Sequence, residues 1–398
     1  MENKPAVLYE TESLCPQCLD RVKAVAVRRG SSVYLEKNCG KHGAFSTVIW
    51  RGSPDIETWM ADRVPAATSG CNFEEGKGCP FECGLCADHR QQTSTMILEV
   101  TKRCNLKCSI CFADSGGMSA DPDMDRIRHY YRRALEQGGP FSIQLSGGEP
   151  TVRDDLPEIV RMGREFGFDF IQVNTNGLRL AEDEEYVKEL KEAGLNSIFL
   201  QFDGVNDEIY KKLRGRELFD IKKRALENCR KHGIGVVLVP VICEENLNDT
   251  GRIISFALEN IDVVRGVHFQ PVSFFGRYDE DMKYNRRITL PEIMQSIENG
   301  SGGRISASSF APPCREHPLC SFHGSFVYEG GELRPISERI NGSRVFSISA
   351  MAFQDAWTAD IERLKQCCIH VMSEDGNMIP FCAYNMTDID SHYLYRRR

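Results

Sequence analysis

Long apolar runs are missing from this 398-residue chain. No stretch approaches the ~18–20 residues needed to cross a bilayer, which excludes a helical membrane protein. Long basic runs are missing as well, and the net charge is −8, so no nucleic-acid surface is expected. The opening Met1-Glu-Asn-Lys-Pro5 lacks the apolar core of an export signal, which predicts a cytoplasmic protein.

Cysteine, by contrast, is abundant: there are 17. A disulfide framework would account for so many in a small exported domain, but this chain is large and has no export signal. Fourteen of the cysteines fall into short-spaced groups, which favours metal sites. Cys229 and Cys243 sit in helix-like and strand-like segments and read as buried, inert thiols. Cys71 lies in a loop and is not assigned.

The first group lies in residues 1–50, where Cys15-Pro-Gln-Cys18 and Cys39-Gly-Lys-His42 flank alternating, strand-like sequence. Two hairpins carrying C-x₂-C and C-x₂-H would build a closed tetrahedral site from Cys15, Cys18, Cys39 and His42. Such a rubredoxin-like or zinc-ribbon-like unit accepts either mononuclear iron or zinc, and closure favours a structural role. Residues 51–93 read as a linker that ends in Cys79-Pro-Phe-Glu-Cys83-Gly-Leu-Cys86. Thiols at this spacing hold an iron–sulfur cluster or zinc.

The same C-x₃-C-x₂-C spacing returns in Cys104-Asn-Leu-Lys-Cys108-Ser-Ile-Cys111, directly after the strand-like Thr95–Thr101. Three thiolates on a four-iron cubane leave one iron without a protein ligand, whereas electron-transfer clusters are usually closed by four cysteines. Further strand-like runs follow at 141–146, 168–174, 197–202, 236–242 and 267–271, separated by helical patterns such as 154–166 and 182–193 that stop at Gly167 and Gly194. Repeating β-α units of ~30 residues predict a parallel sheet with right-handed crossovers, here an α/β partial (β/α)6 TIM-like barrel over residues 94–297. Its chemistry belongs at the C-terminal strand ends. Residues 298–398 carry Cys314, Cys320, Cys367, Cys368 and Cys382 in sequence that reads as irregular, and they are expected to be held together by metal instead of by a core of their own.

A cysteine loop after one strand and Leu145-Ser-Gly-Gly-Glu-Pro150 at the end of the next resemble the radical S-adenosylmethionine (SAM) superfamily. The resemblance implies a SAM-binding [4Fe-4S] cluster on Cys104, Cys108 and Cys111 and an external one-electron donor of the ferredoxin or flavodoxin type. It also implies reductive cleavage of SAM to methionine and a 5′-deoxyadenosyl radical, which takes hydrogen from an unactivated carbon. In that frame Ser146, Gly147, Gly148 and Glu149 cradle the SAM ammonium and Pro150 fixes the turn. Asn174, Asn176, Gln201 and Asp203 are candidates for the ribose, and Phe112 and Gln270 for the adenine wall. His268 reads as a core histidine.

The flanking segments Leu14-Cys15-Pro-Gln-Cys18, Gly78-Cys79-Pro-Phe-Glu-Cys83 and Cys367-Cys368-Ile-His370…Pro380-Phe-Cys382 resemble the archaeal tetraether lipid synthases, a group that also includes pterin dimethyltransferases. This closer resemblance implies two auxiliary [4Fe-4S] clusters, one on Cys79, Cys83 and Cys86 and one drawn from Cys314, Cys320, Cys367, Cys368 and Cys382. The expected activity is carbon–carbon bond formation on a lipid-type substrate, in a long apolar tunnel and with peripheral membrane contact. Two alternatives stand beside it: a radical SAM methyltransferase or peptide-modifying enzyme acting in an open, polar pocket, and an iron–sulfur electron-transfer protein.

Overall fold

A computed structural model describes residues 6–61, 78–84, 88–116, 120–278, 286–336 and 345–396. Cys71 and Cys86 lie outside the described residues.

The chain opens with a four-stranded antiparallel sheet of β1 (Ala6–Leu14), β2 (Arg21–Arg29), β3 (Ser32–Cys39) and β4 (Gly43–Arg51), paired in chain order. Alternation puts Ala24, Ala26, Val33, Leu35 and Trp50 inside. The two turns that carry Cys15, Cys18, Cys39 and His42 lie at the same end of this sheet. Residues 51–61, expected to be linker, hold a short helix, Ile56–Ala61, whose Trp59 packs on Trp50 and donates to the Pro318 carbonyl at 2.9 Å.

The barrel strands follow: β5 (Thr95–Thr101), β6 (Ser142–Gly147), β7 (Ile171–Thr175), β8 (Ser197–Gln201), β9 (Gly235–Val239), β10 (Val241–Ile242) and β11 (Val264–Pro271). Strands β5 to β9 and then β11 are parallel neighbours in chain order, the partial six-stranded barrel expected from the periodicity. The run expected at 236–242 splits at Pro240, which has no N–H for the ladder. The helical patterns end as expected, with Gly167 at φ +90° and Gly194 at φ +96°. The second pattern, 182–193, is observed as the helix Glu184–Glu192, capped by Asp183.

The last hundred residues differ from expectation. They are not an irregular appendage, because they contribute β12 (Ser321–Glu329), β13 (Glu332–Pro335), β14 (Val345–Met351), β15 (Ile369–Met372) and β16 (Met378–Pro380) to the barrel sheet itself. Strand β14 pairs parallel with β11, and β15 pairs parallel with β5, so the segment extends both edges of the barrel. Phe322, Phe326, Phe346, Ile348 and Ala350 are buried in the main apolar core, so apolar packing holds the segment, contrary to the expectation that it has no core.

Period-two alternation sorts the barrel residues into two sets. Leu98, Leu145, Val173, Leu200, Leu238 and Phe269 face the helices and form the core. Their neighbours Ile97, Gln144, Ser146, Asn174, Phe199, Gln201, Val239 and Gln270 line one interior cavity. Below it runs a polar chain: Gln144 Nε2 donates to Gln172 Oε1 (2.9 Å), whose Nε2 donates to Ser197 Oγ (3.1 Å). No helix among the described residues is long and apolar enough to cross a membrane.

Candidate active site

The interior cavity, of ≈240 Å³, opens at the C-terminal strand ends, and all three thiols of the 104–111 loop line it. Two arginines clamp this loop. Arg277 pairs backbone to backbone with Cys111 (2.8 and 2.9 Å) and donates Nε to the Cys108 carbonyl at 3.0 Å. Arg214 donates Nη1 to the Ile110 carbonyl at 3.3 Å and itself lines the cavity. Neither was expected, since they lie 103 residues or more along the chain from Cys111. Burial, with Glu149 and the other two thiols adding to it, pushes the Cys104 thiol up to about 12; a bound metal reverses this by taking the thiolate as ligand.

Gly147 and Gly148 line the cavity and also allow a close approach of two backbone segments. A Cβ on Gly147 would overlap the Thr101 carbonyl oxygen, and one on Gly148 would overlap that of Arg103. The Gly148 N–H donates to Thr101 O (2.8 Å) and the Glu149 N–H to Arg103 O (2.9 Å). The pair therefore docks the backbone entering the cysteine loop onto the end of β6. Gly148→Ala is expected to displace that loop at a cost of about 1–3 kcal/mol and to lower iron incorporation at the loop. Iron analysis together with thermal unfolding checks this, and a variant with wild-type iron content and melting temperature would contradict it.

The carboxylate of Glu149 is held by protein donors. Oε1 accepts from Thr151 N (3.1 Å), Thr151 Oγ1 (2.6 Å) and Thr175 Oγ1 (2.7 Å), and Oε2 accepts from Asn176 N (2.7 Å). It caps the short turn begun by Pro150, which is buried and off the cavity, and ties β6 to the end of β7. Four protein donors thus hold in place a buried carboxylate that also lines the cavity, where a partner for an ammonium was expected. Asn176 passes the linkage on, donating Nδ2 to Asn105 Oδ1 in the cysteine loop at 2.8 Å.

The expectation for Asp203 is corrected. Fully buried and absent from the cavity lining, it pairs bidentately with Arg214 (Oδ2 to Nε 2.7 Å, Oδ1 to Nη2 2.8 Å). Gln201 lines the cavity with both ends engaged, donating to Asp203 and accepting from Lys222 Nζ at 2.9 Å. Lys222 is fully buried and also donates to the Asn176 carbonyl (2.5 Å); burial pulls it down to about 7, partly offset by Asp203. Asn174 is the unsatisfied member of this group, because its Oδ1 is buried without a partner at the cavity wall. Ser146 and Gln270 line the cavity as expected, as does Phe112. Sequence reading missed the other rings around Phe112: Phe381 lies 5.5 Å from it, with Phe353 4.5 Å and Phe275 6.4 Å from Phe381. His268 is off the cavity, bonded through Nδ1 to Ser349 Oγ (2.8 Å), and burial pushes it down to about 4. Cys229 and Cys243 are buried, which pushes each thiol up to about 12.

The N-terminal set converges. Ligand atoms of Cys15, Cys18, Cys39 and His42 all lie within 4.8 Å of one another, with Cys18 Sγ 4.0 Å from Cys39 Sγ and His42 Nδ1 3.5 Å from Cys15 Sγ. A tetrahedron with ~2.3 Å metal–sulfur bonds has edges of nearly that length. The Lys41 backbone N–H leads in pulling the Cys39 thiol down to about 6, the direction that favours a thiolate ligand.

Among the candidate auxiliary thiols, Cys79 and Cys83 are buried neighbours. Cys320 and Cys382 lie near Arg363 and Cys367 lies near both of these thiols, Cys368 faces Glu316 (Sγ to Oε2 3.6 Å), and Cys314 is exposed. The C-terminal residues tie these loops together. Ile389 N bonds Pro16 O (2.9 Å), Tyr393 OH donates to Phe112 O (3.1 Å), and Tyr395 OH accepts from Cys83 N (2.7 Å).

A family model described as the radical SAM superfamily matches residues 98–257, and one described as the HMPTM N-terminal zinc ribbon domain matches residues 7–51. The chain is 33% identical to 7,8-dihydro-6-hydroxymethylpterin dimethyltransferase of Methanocaldococcus jannaschii, over 94% of this chain and 93% of that one. It belongs to the radical SAM superfamily. Fe-coproporphyrin III synthase of Methanosarcina barkeri is 31% identical over 52% of this chain and 51% of its own length. Among solved structures, Streptococcus suis SuiB bound to precursor peptide SuiA is 16% identical over 53% of this chain and 46% of that one, with a TM-score of 0.44.

As a radical SAM enzyme the protein uses SAM and a [4Fe-4S] cluster, and the residues present fit both. The cavity lining offers three thiols, and its single carboxylate, Glu149, is already engaged by four donors. An orphaned acceptor, Asn174 Oδ1, stands at the same wall. The ribbon turns fit a mononuclear metal.

Proposed function

We propose that this radical SAM enzyme forms a carbon–carbon bond on a small nitrogen heterocycle of the pterin kind, adding a one-carbon unit. One observation carries the reading: side-chain amides and aromatic rings share a single cavity above the cysteine loop. Gln144, Asn174 and Gln270 present amides from three strands, while Phe112, Phe275, Phe353 and Phe381 supply ring faces. A flat heterocycle needs both, donors and acceptors at its edge and stacking on its face.

In this reading Cys104, Cys108 and Cys111 hold the cluster and Arg214 and Arg277 keep their loop in register. Bound cluster and SAM together supply abstraction of a hydrogen atom from an unactivated carbon. The chain's own part is to orient and enclose. The amides fix the edge of the ring, and the phenylalanines exclude water and other hydrogen donors from the reacting carbon. An external donor of the ferredoxin or flavodoxin type supplies the electron.

Coupling of lipid chains is the second reading, favoured by the apolar flank of Val239, Val241, Val272 and Phe353. Against it stands the size of the cavity, ≈240 Å³, at or below the ~300–1,000 Å³ of ordinary small-molecule sites.

Anaerobic incubation of the reconstituted full chain with reductant, SAM, a hydroxymethyl-dihydropterin and a small-molecule cell extract as one-carbon source tests the assignment. Methylated pterin should accumulate in step with deoxyadenosine. Deoxyadenosine without a gain in pterin mass, alongside coupling of an added diether lipid, would reverse the order of the two readings.

A further inference from the structure

Arg363 is a buried cation, 5% exposed, that forms no ion pair with a carboxylate among the described residues. Its Nη2 donates to the Leu319 carbonyl (3.1 Å), the Ala352 carbonyl (3.3 Å) and Cys320 Sγ (3.5 Å), and its Nε is buried with no acceptor at all. Burying a guanidinium without a counter-ion is strongly disfavoured, so negative charge has to come from its surroundings. The nearby carboxylate, Asp360, is a poor source: it is buried, it is bonded to Thr11 Oγ1 (2.8 Å), and its burial favours the neutral acid.

Three thiols remain: Cys382, which is buried, and Cys320 and Cys367, which are partly buried. Cys320 and Cys382 both act electrostatically on Arg363, and both act on Cys367. Gln354 N donates to Cys382 Sγ at 3.3 Å, a second N–H aimed at sulfur in this group. Cys368, next in sequence, turns instead to Glu316. Neutral thiols cannot compensate a cation, whereas thiolates on iron can, since a thiolate-ligated cluster carries net negative charge.

We propose that Cys320, Cys367 and Cys382 form one iron–sulfur site and that Arg363 is its built-in counter-ion, holding its reduction potential up. This rests on reading the C-terminal thiols as a cluster site. Adding an electron to a cluster that is already negative is opposed by its own charge; a buried guanidinium donating N–H to sulfur lowers that opposition. Arg363 touches no substrate and acts through the cluster, as a positioning and tuning residue.

The test is a potentiometric titration of the full-chain holoprotein followed by electron paramagnetic resonance. In Arg363→Gln one cluster alone should move to more negative potential. At a fixed poise its reduced-to-oxidised ratio should fall about tenfold, equivalent to ~59 mV for one electron, while the signal that responds to SAM stays in place. Unchanged midpoints at wild-type iron content would overturn the proposal. Should Arg363→Gln fail to fold, the wild-type protein grown with ¹⁵N-guanidino arginine decides. A nitrogen coupling on one reduced auxiliary signal, lost in Arg363→Lys, supports the contact; no coupling, or coupling that persists in Arg363→Lys, refutes it. Cys320→Ser and Cys382→Ser examine the underlying reading separately, because iron content that does not fall in either would remove the cluster itself.

Discussion

Alanine at Cys108 is expected to abolish cleavage of SAM while leaving the N-terminal ribbon metal and the auxiliary thiols untouched. The cluster loop offers three thiols and no spare, so removing one leaves two, too few to hold a four-iron cubane with one open iron. The backbone around it should survive. Arg277 Nε contacts the Cys108 carbonyl, not its side chain, and the Cys111–Arg277 pairing is main chain to main chain. The variant should therefore fold, lose one cluster's complement of iron and sulfide, and form no deoxyadenosine with dithionite and SAM. The Cys15, Cys18, Cys39 and His42 site is built on a separate sheet and should keep its metal. Continued deoxyadenosine formation at reduced iron content would mean that the radical chemistry originates at another centre.

Much of the barrel was legible because its strands are buried on both sides and bounded by helices with clear stops. Thr95–Thr101 matches its expected range, and the strand at 197 ends one residue before the expected limit. The cysteine loop and the glycine pair were found by spacing alone. Their partners were not, because contacts between β-α units have no sequence signature. Asp203 and Arg214 are eleven residues apart, and the four donors of Glu149 lie on Thr151, Thr175 and Asn176. Sequence places this carboxylate beside two glycines but does not show the donors that fix it at the cavity wall.

The C-terminal segment was misread for a different reason. Its cysteines drew attention to metal, yet Val345-Phe-Ser-Ile-Ser-Ala-Met351 alternates, and Phe346, Ile348 and Ala350 are the buried set. That pattern is the ordinary signature of a half-buried strand. What no sequence argument supplies is that β14 and β15 join opposite edges of one sheet, which places Phe353 and Phe381 in the cavity beside Phe112. The segment thus carries the C-terminal cysteines and part of the cavity wall at once.

Asp203→Ala is expected to be the most destabilising single change near the site. The pair it breaks is fully buried, with the Arg214 side chain 6% exposed and that of Asp203 not at all. Forming a buried pair contributes little net stability, but removing one partner strands the other charge, at about 3–5 kcal/mol. That is a large share of the ~5–15 kcal/mol that holds a typical domain together. The loss should reach the cavity as well. Released from Asp203, Arg214 has no reason to keep Nη1 on the Ile110 carbonyl, and Ser109 N, bonded to Leu213 O at 3.2 Å, moves with the end of the helix Asp207–Arg214. Iron loading on the cysteine loop should fall together with the denaturation midpoint. The double variant Asp203→Ala, Arg214→Met separates charge from shape: with no stranded cation it should recover more than half of the lost stability in urea unfolding. Its SAM affinity should stay low, because the guanidinium at the cavity wall is gone. Losses that simply add in the double variant would mean that the two residues act independently and that the buried pair is not what holds the loop.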